Sequence, residues 1–126
     1  MILPPVSDVL LPELHACLVC DGLRRGPLDT ISLAGITGTV RLAPGAAFTV
    51  VTIWGGLPGL FEQKLALTDA DGAELLRATR PFELLTRHQR RALQDRLPMP
   101  HTEGEYLLVT SVDGYAASRQ VLRFVG

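Results

Sequence analysis

Short runs of alternating apolar and polar residues, separated by glycine, proline and Asp-Gly pairs, constrain this sequence more than any other feature. In the run FEQKLALT, Phe61, Leu65 and Leu67 fall on one side and polar residues on the other. A period of two is typical of strands with one buried and one solvent-facing side. The pattern predicts about seven or eight short antiparallel strands, and therefore an all-β protein.

Turn signals separate these runs. The segments LTDADGAELL and VTSVDGYAAS each place an Asp-Gly pair between apolar runs. Asp and Gly accept positive φ angles, so both pairs predict β-hairpins. In TISLAGITGTVRL the apolar parity changes at Gly35, which predicts a bulge or a bend at that glycine.

One segment departs from alternation. In LLTRHQRRALQDRLP, which covers residues 84–98, Thr86 followed by Gln89 matches a capping box and Pro98 is a stop signal. The segment therefore predicts one short helix crossing an end of the sheets.

These elements favour an antiparallel, immunoglobulin-like β-sandwich with one short helix. A barrel is the alternative, because alternation alone does not separate the two architectures. A chain of 126 residues fits a single domain over residues 1–126, and we expect residues 1–12 to form a lead-in arm.

Composition and the N-terminal segment bear on location and partners. No stretch approaches the roughly 18 continuous apolar residues of a membrane span. The N-terminal segment lacks a basic start, and prolines interrupt it, which does not fit a signal peptide. We therefore expect a cytoplasmic protein without a membrane partner. The formal net charge of −1 gives no overall attraction to nucleic acid.

Three stretches carry a resemblance to a known family. They are LVCDGLRR, TISLAGITGTV and LPMPHTEGEYLLVTSVDG. Their order resembles an uncharacterised bacterial family of single-domain β-sandwich proteins, known as a domain of unknown function. The resemblance implies the sandwich fold and implies no activity.

The segment HACLVCDGLRR raises the question of a metal or redox site. Structural zinc sites use four ligands at short spacing, and this segment offers one Cys-x-x-Cys and His15. In a strand, Cys17 and Cys20 point to opposite faces. We therefore expect two structural thiols and no metal or cofactor, with Cys20 in the core and Cys17 on the outer face. The open alternative is a small-ligand or metal site with a rim formed by His15, Cys17 and Trp54.

The remaining features concern partners. No catalytic motif is evident, which favours a non-enzymatic protein.

In the last strand, Val121 and Val125 lie on the face opposite to its other apolar residues, and AFTVVTIW is apolar on both sides. Such strands need a cover, which predicts a homodimer or another protein partner contacted through a sheet face or edge. The predicted helix places Arg87, Arg90 and Arg91 on one basic face, a candidate for partner contact. Nucleic-acid binding there ranks last, since no aromatic residues are interleaved.

Overall fold

The computed structural model describes residues 10–20, 22–27, 31–35, 37–43 and 45–126. Residues 1–9 of the predicted lead-in arm lie outside these ranges. The described residues form ten strands, which confirms an all-β protein: β1 Glu13–Cys20, β2 Gly22–Arg25, β3 Ile31–Ala34, β4 Thr39–Arg41, β5 Ala47–Gly55, β6 Gly59–Thr68, β7 Glu74–Leu84, β8 Arg90–Pro98, β9 Gly104–Val112 and β10 Tyr115–Val125. The count exceeds the predicted seven or eight because β2, β3 and β4 are only three or four residues long.

The strands form two larger sheets and one hairpin. A three-stranded sheet has the order β1-β5-β8, a five-stranded sheet has the order β4-β10-β9-β6-β7, and β2 pairs with β3. The pairs within the larger sheets are antiparallel except for β4 and β10, which are parallel. Among the residues described, no helix is long and apolar enough to cross a membrane.

The core lies between the two larger sheets. One cluster joins Val50 of β5 and Leu97 of β8 to Leu65, Leu108 and Phe124 of the five-stranded sheet. A second cluster, around Trp54 and Phe82, fills the end of the core near the β5–β6 loop. Because each strand alternates, these side chains point inward while their neighbours point outward.

The predicted helix over residues 84–98 is wrong, because its second half is strand β8. Leu93 and Leu97 both point into the core, with Asp95 between them on the same side. Because this inward position holds a charged residue, the alternation of apolar and polar residues typical of a strand is not visible in the sequence. The predicted capping box is a turn instead: the Gln89 backbone N–H bonds the Thr86 carbonyl, and its side-chain oxygen accepts the Leu85 N–H at 2.6 Å.

A register shift in β1 corrects the predicted faces of the two cysteines. The shift lies between Leu14 and Ala16, so Leu14 and Cys17 both point toward the core although they are an odd number of residues apart. Cys17 therefore lies on the inner face rather than the outer face. Cys20 lies on the opposite face, next to Thr49, and is nevertheless buried at 4% exposure.

Both Asp-Gly predictions are confirmed. Asp69 Oδ1 accepts the backbone N–H groups of Asp71 and Ala73 in the turn between β6 and β7. Asp113 and Gly114 have φ angles of 49° and 87° in the turn between β9 and β10. Gly35, with a φ of 68°, is a bend rather than a bulge, and it separates β3 from β4, which belong to different sheets.

Candidate functional site

The outer face of the five-stranded sheet carries an apolar surface around Val121. Val121 of β10 is 60% exposed and pairs with Leu107 of β9. Val109 follows on β9, and Leu75, 45% exposed, lies in the bulge between β6 and β7 at the same level. We call Leu75, Leu107, Val109 and Val121 the outer patch. Of these four residues, only Val121 was predicted to contact a partner. The other three lie near it because β7, β9 and β10 belong to one sheet.

A shallow depression and mixed charges accompany the outer patch. Leu107 and Val121 line a depression of about 250 Å³, together with Asp69 and Glu105. Glu105 pairs with Arg123 at 2.8 Å, and Arg119 is exposed beside Val109. The surface therefore combines an apolar centre with charges of both signs at its margin, as protein contact surfaces do.

The other surfaces are less suited to protein contact. In the three-stranded sheet, Val50 and Val51 are both fully buried, so β5 is covered on both faces within the chain. The edge strand β8 carries exposed Arg90, Arg91 and Arg96, and the edge strand β7 contains Pro81. Charges and proline on edge strands oppose edge-to-edge pairing. Compared with these surfaces, the outer face of the five-stranded sheet is better suited to a contact.

The predicted basic face breaks up because its residues lie on a turn and a strand. Arg87 lies in the turn before β8, while Arg90 and Arg91 are successive residues of β8 and point to opposite faces. Val125, partly buried, pairs with Arg41 at the far end of β10. The three arginines therefore do not share one surface with Val121, whereas Val125 lies on the same face of β10, four residues further along the strand.

His15, predicted at the ligand rim, and Arg90, predicted on the basic face, unexpectedly lie close together over Gly55. Gly55 lies on the middle strand, and its neighbours across the sheet are Glu13 and Arg90. A Cβ atom at Gly55 would lie 2.8 Å from Arg90 Nη1, 2.9 Å from His15 Nε2 and 2.9 Å from the Gln89 carbonyl oxygen. The His15 Nε2 lies 3.9 Å from a carboxylate oxygen of Glu13. The missing side chain at Gly55 thus lets these polar groups meet over the strand.

We expect Gly55→Ala to lower the free energy of unfolding by about 1–3 kcal/mol, because the new methyl group meets a backbone oxygen as well as two side chains. Chemical denaturation measures the loss. Gly38→Ala is the matched control, since no atom of the described residues, apart from its chain neighbours, lies within 4 Å of a Cβ atom there. Equal effects of the two changes would contradict the close approach at Gly55.

Trp54 is a core residue and not part of a rim. It is 0% exposed, stacks on Phe82 at 5.3 Å and donates its indole N–H to Gln63 Oε1 at 2.8 Å. The same oxygen accepts the Thr52 hydroxyl, and Gln63 Nε2 donates to Asp95 Oδ2 at 3.0 Å. The network ends at the surface, where Asp95 pairs with Arg80 at 3.3 Å. It links β5 and β8 to β6 and β7, so its position indicates a structural role.

Cys17 lies where β1 faces the five-stranded sheet. Its sulfur is 3.3 Å from the Thr110 hydroxyl and 3.9 Å from Gln120 Nε2. Desolvation by burial raises the pKa of the Cys17 thiol above its ordinary value, against the smaller lowering effects of Thr110 and Ser118. The Ser118 hydroxyl is buried beside the thiol without a hydrogen bond of good geometry. A desolvated thiol is protonated at neutral pH and is a poor nucleophile.

The raised pKa predicts the pH dependence of stability at this position. The folded protein holds the Cys17 proton more tightly than the unfolded chain, so this contribution is complete at low pH. It is lost as the pH rises past the ordinary thiol pKa of about 8.5. We expect the stability difference between wild type and Cys17→Ala to shrink between neutral and alkaline pH, as measured by urea denaturation. A difference that stays constant would contradict the desolvated thiol.

The predicted rim residues are therefore separated: His15 lies over Gly55, Cys17 faces the opposite sheet, and Trp54 is buried. Among the described residues, no three His, Cys, Asp or Glu side chains are grouped closely enough to hold a metal ion. Sequence reasoning missed Leu107, whose signal was its place in the alternating run EYLLVTSV. It also missed Gln63, which stands at an inward position of FEQKLALT and needs buried partners for that reason.

Comparisons with known proteins add little. No protein-family model matches the chain, and no curated protein matches it. Among solved structures, it is similar to the Pseudomonas fluorescens alkylpurine DNA glycosylase AlkC bound to DNA containing an abasic site analogue. The identity is 12% and the TM-score 0.46, over 91% of this chain and 30% of that chain. The match thus spans less than a third of the glycosylase, and this degree of likeness establishes neither a shared fold nor a shared activity.

Proposed function

We propose that this protein is a non-enzymatic interaction module that contacts a second copy of itself through the outer patch. The observation that carries the proposal is the 60% exposure of Val121, which lies beside Leu107 of β9, with Leu75 of β7 at the same level beyond Thr68 of β6. An exposed apolar surface of this kind loses unfavourable contact with water when a partner covers it. The next residue of β10, Leu122, points inward and is only 1% exposed, so the exposure of Val121 belongs to the outer face of the strand.

The charges at the margin favour a second copy as the partner. In a two-fold contact, the same surface faces itself, so each cation needs an anion on the same surface. The outer patch offers Arg119 and Arg123 together with Asp69 and Glu105. Lys64 and Arg77 also pair with Glu74 beside Leu75, so cations and anions both border the patch and allow pairing across a two-fold axis, which supports a homodimer.

We expect Val121→Asp to abolish this dimer. The change places a carboxylate at the centre of the apolar contact, where the two-fold axis brings it close to its own copy. Native mass spectrometry at a concentration where the wild type is dimeric measures the result as loss of the dimer signal. Because Val121 is exposed in the monomer, the fold stays intact, and a circular dichroism spectrum checks this.

Thr86→Asp is the matched control, since it adds the same charge at an exposed turn away from the outer patch. We expect this variant to dimerise like the wild type. A dimer that persists in Val121→Asp, or one that is lost equally in both variants, would contradict contact through the outer patch.

We further propose that the two sheets form an immunoglobulin-like sandwich. Reading β1-β5-β8 as strands A, B and E, and β10-β9-β6-β7 as G, F, C and C′, reproduces the order of that fold. Tyr106, on the strand that corresponds to F, donates its hydroxyl to the Thr102 carbonyl at 2.7 Å, in the manner of a tyrosine corner. Membership of the bacterial sandwich family and a cytoplasmic location remain predictions from the sequence.

The non-enzymatic part of the proposal draws support from Cys17, because burial keeps this thiol in its less nucleophilic form. Nucleic-acid contact through Arg87, Arg90 and Arg91 loses its main argument, since two of these residues point to opposite faces of a strand. Replacing all three with Glu leaves heparin retention unchanged if they form no polyanion site.

A further inference from the structure

A cavity of about 500 Å³ opens where the chain crosses from the three-stranded sheet to β4 of the other sheet. The crossing is fixed by the Thr37 backbone N–H, which donates to the Val19 carbonyl at 2.9 Å. The Thr37 side chain also bonds both the N–H and the carbonyl of Thr39, at 3.0 and 2.7 Å. The bond to Val19 ties the start of this segment to β1, and the cavity volume falls within the roughly 300–1,000 Å³ typical of small-molecule sites.

The polar lining of the cavity is cationic. Arg41 of β4 and Arg96 of β8 both line it, so each larger sheet contributes one arginine. Within the described part of the chain neither forms an ion pair, whereas Arg80 and Arg123 do. No carboxylate side chain of the described residues lines the cavity. Two arginines at one cavity, with no carboxylate among the described lining residues, favour an anion, which each guanidinium group can bind through paired N–H donors.

The rest of the lining combines apolar core side chains with hydroxyl groups and one amide. Val19, Val40 and Phe48 are buried at 3%, 8% and 5% exposure and belong to the core between the sheets. Thr49 lies next to Arg96 across the sheet and contributes a hydroxyl group. A bare inorganic anion would leave the apolar side chains uncovered, whereas an organic anion would fill both parts.

We propose that this cavity binds a small organic anion. Arg41 and Arg96 hold its phosphate or carboxylate group, and Val19, Val40 and Phe48 contact an attached apolar group. The site is independent of the proposed dimer, because the outer patch lies on the outer face of the five-stranded sheet and shares no residue with the cavity. Binding is therefore expected to survive in Val121→Asp.

Isothermal titration calorimetry with phenyl phosphate, benzoate and phenol tests the proposal on the full chain. We expect the two anions to bind with millimolar or better affinity and phenol to bind at least about tenfold more weakly, because it lacks the charge. Arg41→Met and Arg96→Met each weaken anion binding about tenfold. Arg119→Met, which removes the same charge from the outer face of the five-stranded sheet at a position that does not line the cavity, leaves it unchanged.

Backbone amide NMR keeps the test decisive if one variant is unstable. Phenyl phosphate is expected to shift the amide signals of Thr39, Arg41 and Thr49 in the wild type. Three results would overturn the proposal: no heat and no shifts up to about 10 mM ligand, equal binding of phenol and the anions, or binding that the Arg119 change weakens as much as the other two.

Discussion

Replacing Gln63 with leucine is expected to lower the free energy of unfolding by about 3–5 kcal/mol. Gln63 is 1% exposed, and its amide satisfies the Trp54 indole N–H, the Thr52 hydroxyl and the Asp95 carboxylate at once. Leucine fills a similar volume but leaves these polar groups without their partner. Each buried group that loses its bond costs about 1–3 kcal/mol, and Arg80 retains part of the stabilisation of Asp95.

Urea denaturation measures this loss, and Gln94→Leu is its matched control. Gln94 is exposed on β8, so the same chemical change there is expected to alter the stability by less than about 0.5 kcal/mol. Adding Thr52→Val to Gln63→Leu should recover part of the loss, because it removes one stranded hydroxyl. A Gln63→Leu protein as stable as Gln94→Leu would show that the network is not formed.

Phe124→Ala is expected to cost about 3–5 kcal/mol. Phe124 is 1% exposed, and its ring meets Phe48 and Tyr106 edge-on, with centroids at 5.3 and 5.4 Å. Phe48 belongs to the three-stranded sheet and Tyr106 to the five-stranded sheet. The truncation therefore opens a cavity between the sheets that neither sheet can close alone.

Tyr115→Ala serves as the control for Phe124, because it removes an aromatic ring from the same strand at 44% exposure. Thermal unfolding followed by circular dichroism is expected to show a far smaller loss for Tyr115. If the two truncations had similar effects, Phe124 would not lie in a packed core and the assigned inner face of β10 would be wrong.

The sequence predicts the strands well where alternation is uninterrupted. The run with Leu65 and Leu67, and the hairpin at Asp113-Gly114, were both readable because side chains on one face share one solvent environment. β8 was misread because Asp95 occupies an inward position, where the sequence does not show that Gln63 and Arg80 satisfy it. In the sequence, an inward-facing carboxylate that has bonding partners looks like a solvent-facing one until its partners are known.

The candidate site was less predictable than the fold. Val121 could be singled out from its own strand, but the outer patch also needs Leu107 and Leu75, which strand order alone brings beside it. The face of Cys17 depended on the register shift after Leu14, for which the residues of β1 give no turn or glycine signal. The cavity between Arg41 and Arg96 joins two sheets, so residue spacing could not reveal it.

Sedimentation velocity of the wild-type protein, from about 1 µM to about 1 mM, tests the proposed self-association most directly. We predict that the sedimentation coefficient rises with concentration from the value of a 13.6-kDa monomer to that of a dimer. Exchange between the two forms is expected because the outer patch is small for a permanent interface. A single monomer species across the whole range would contradict the proposed homodimer.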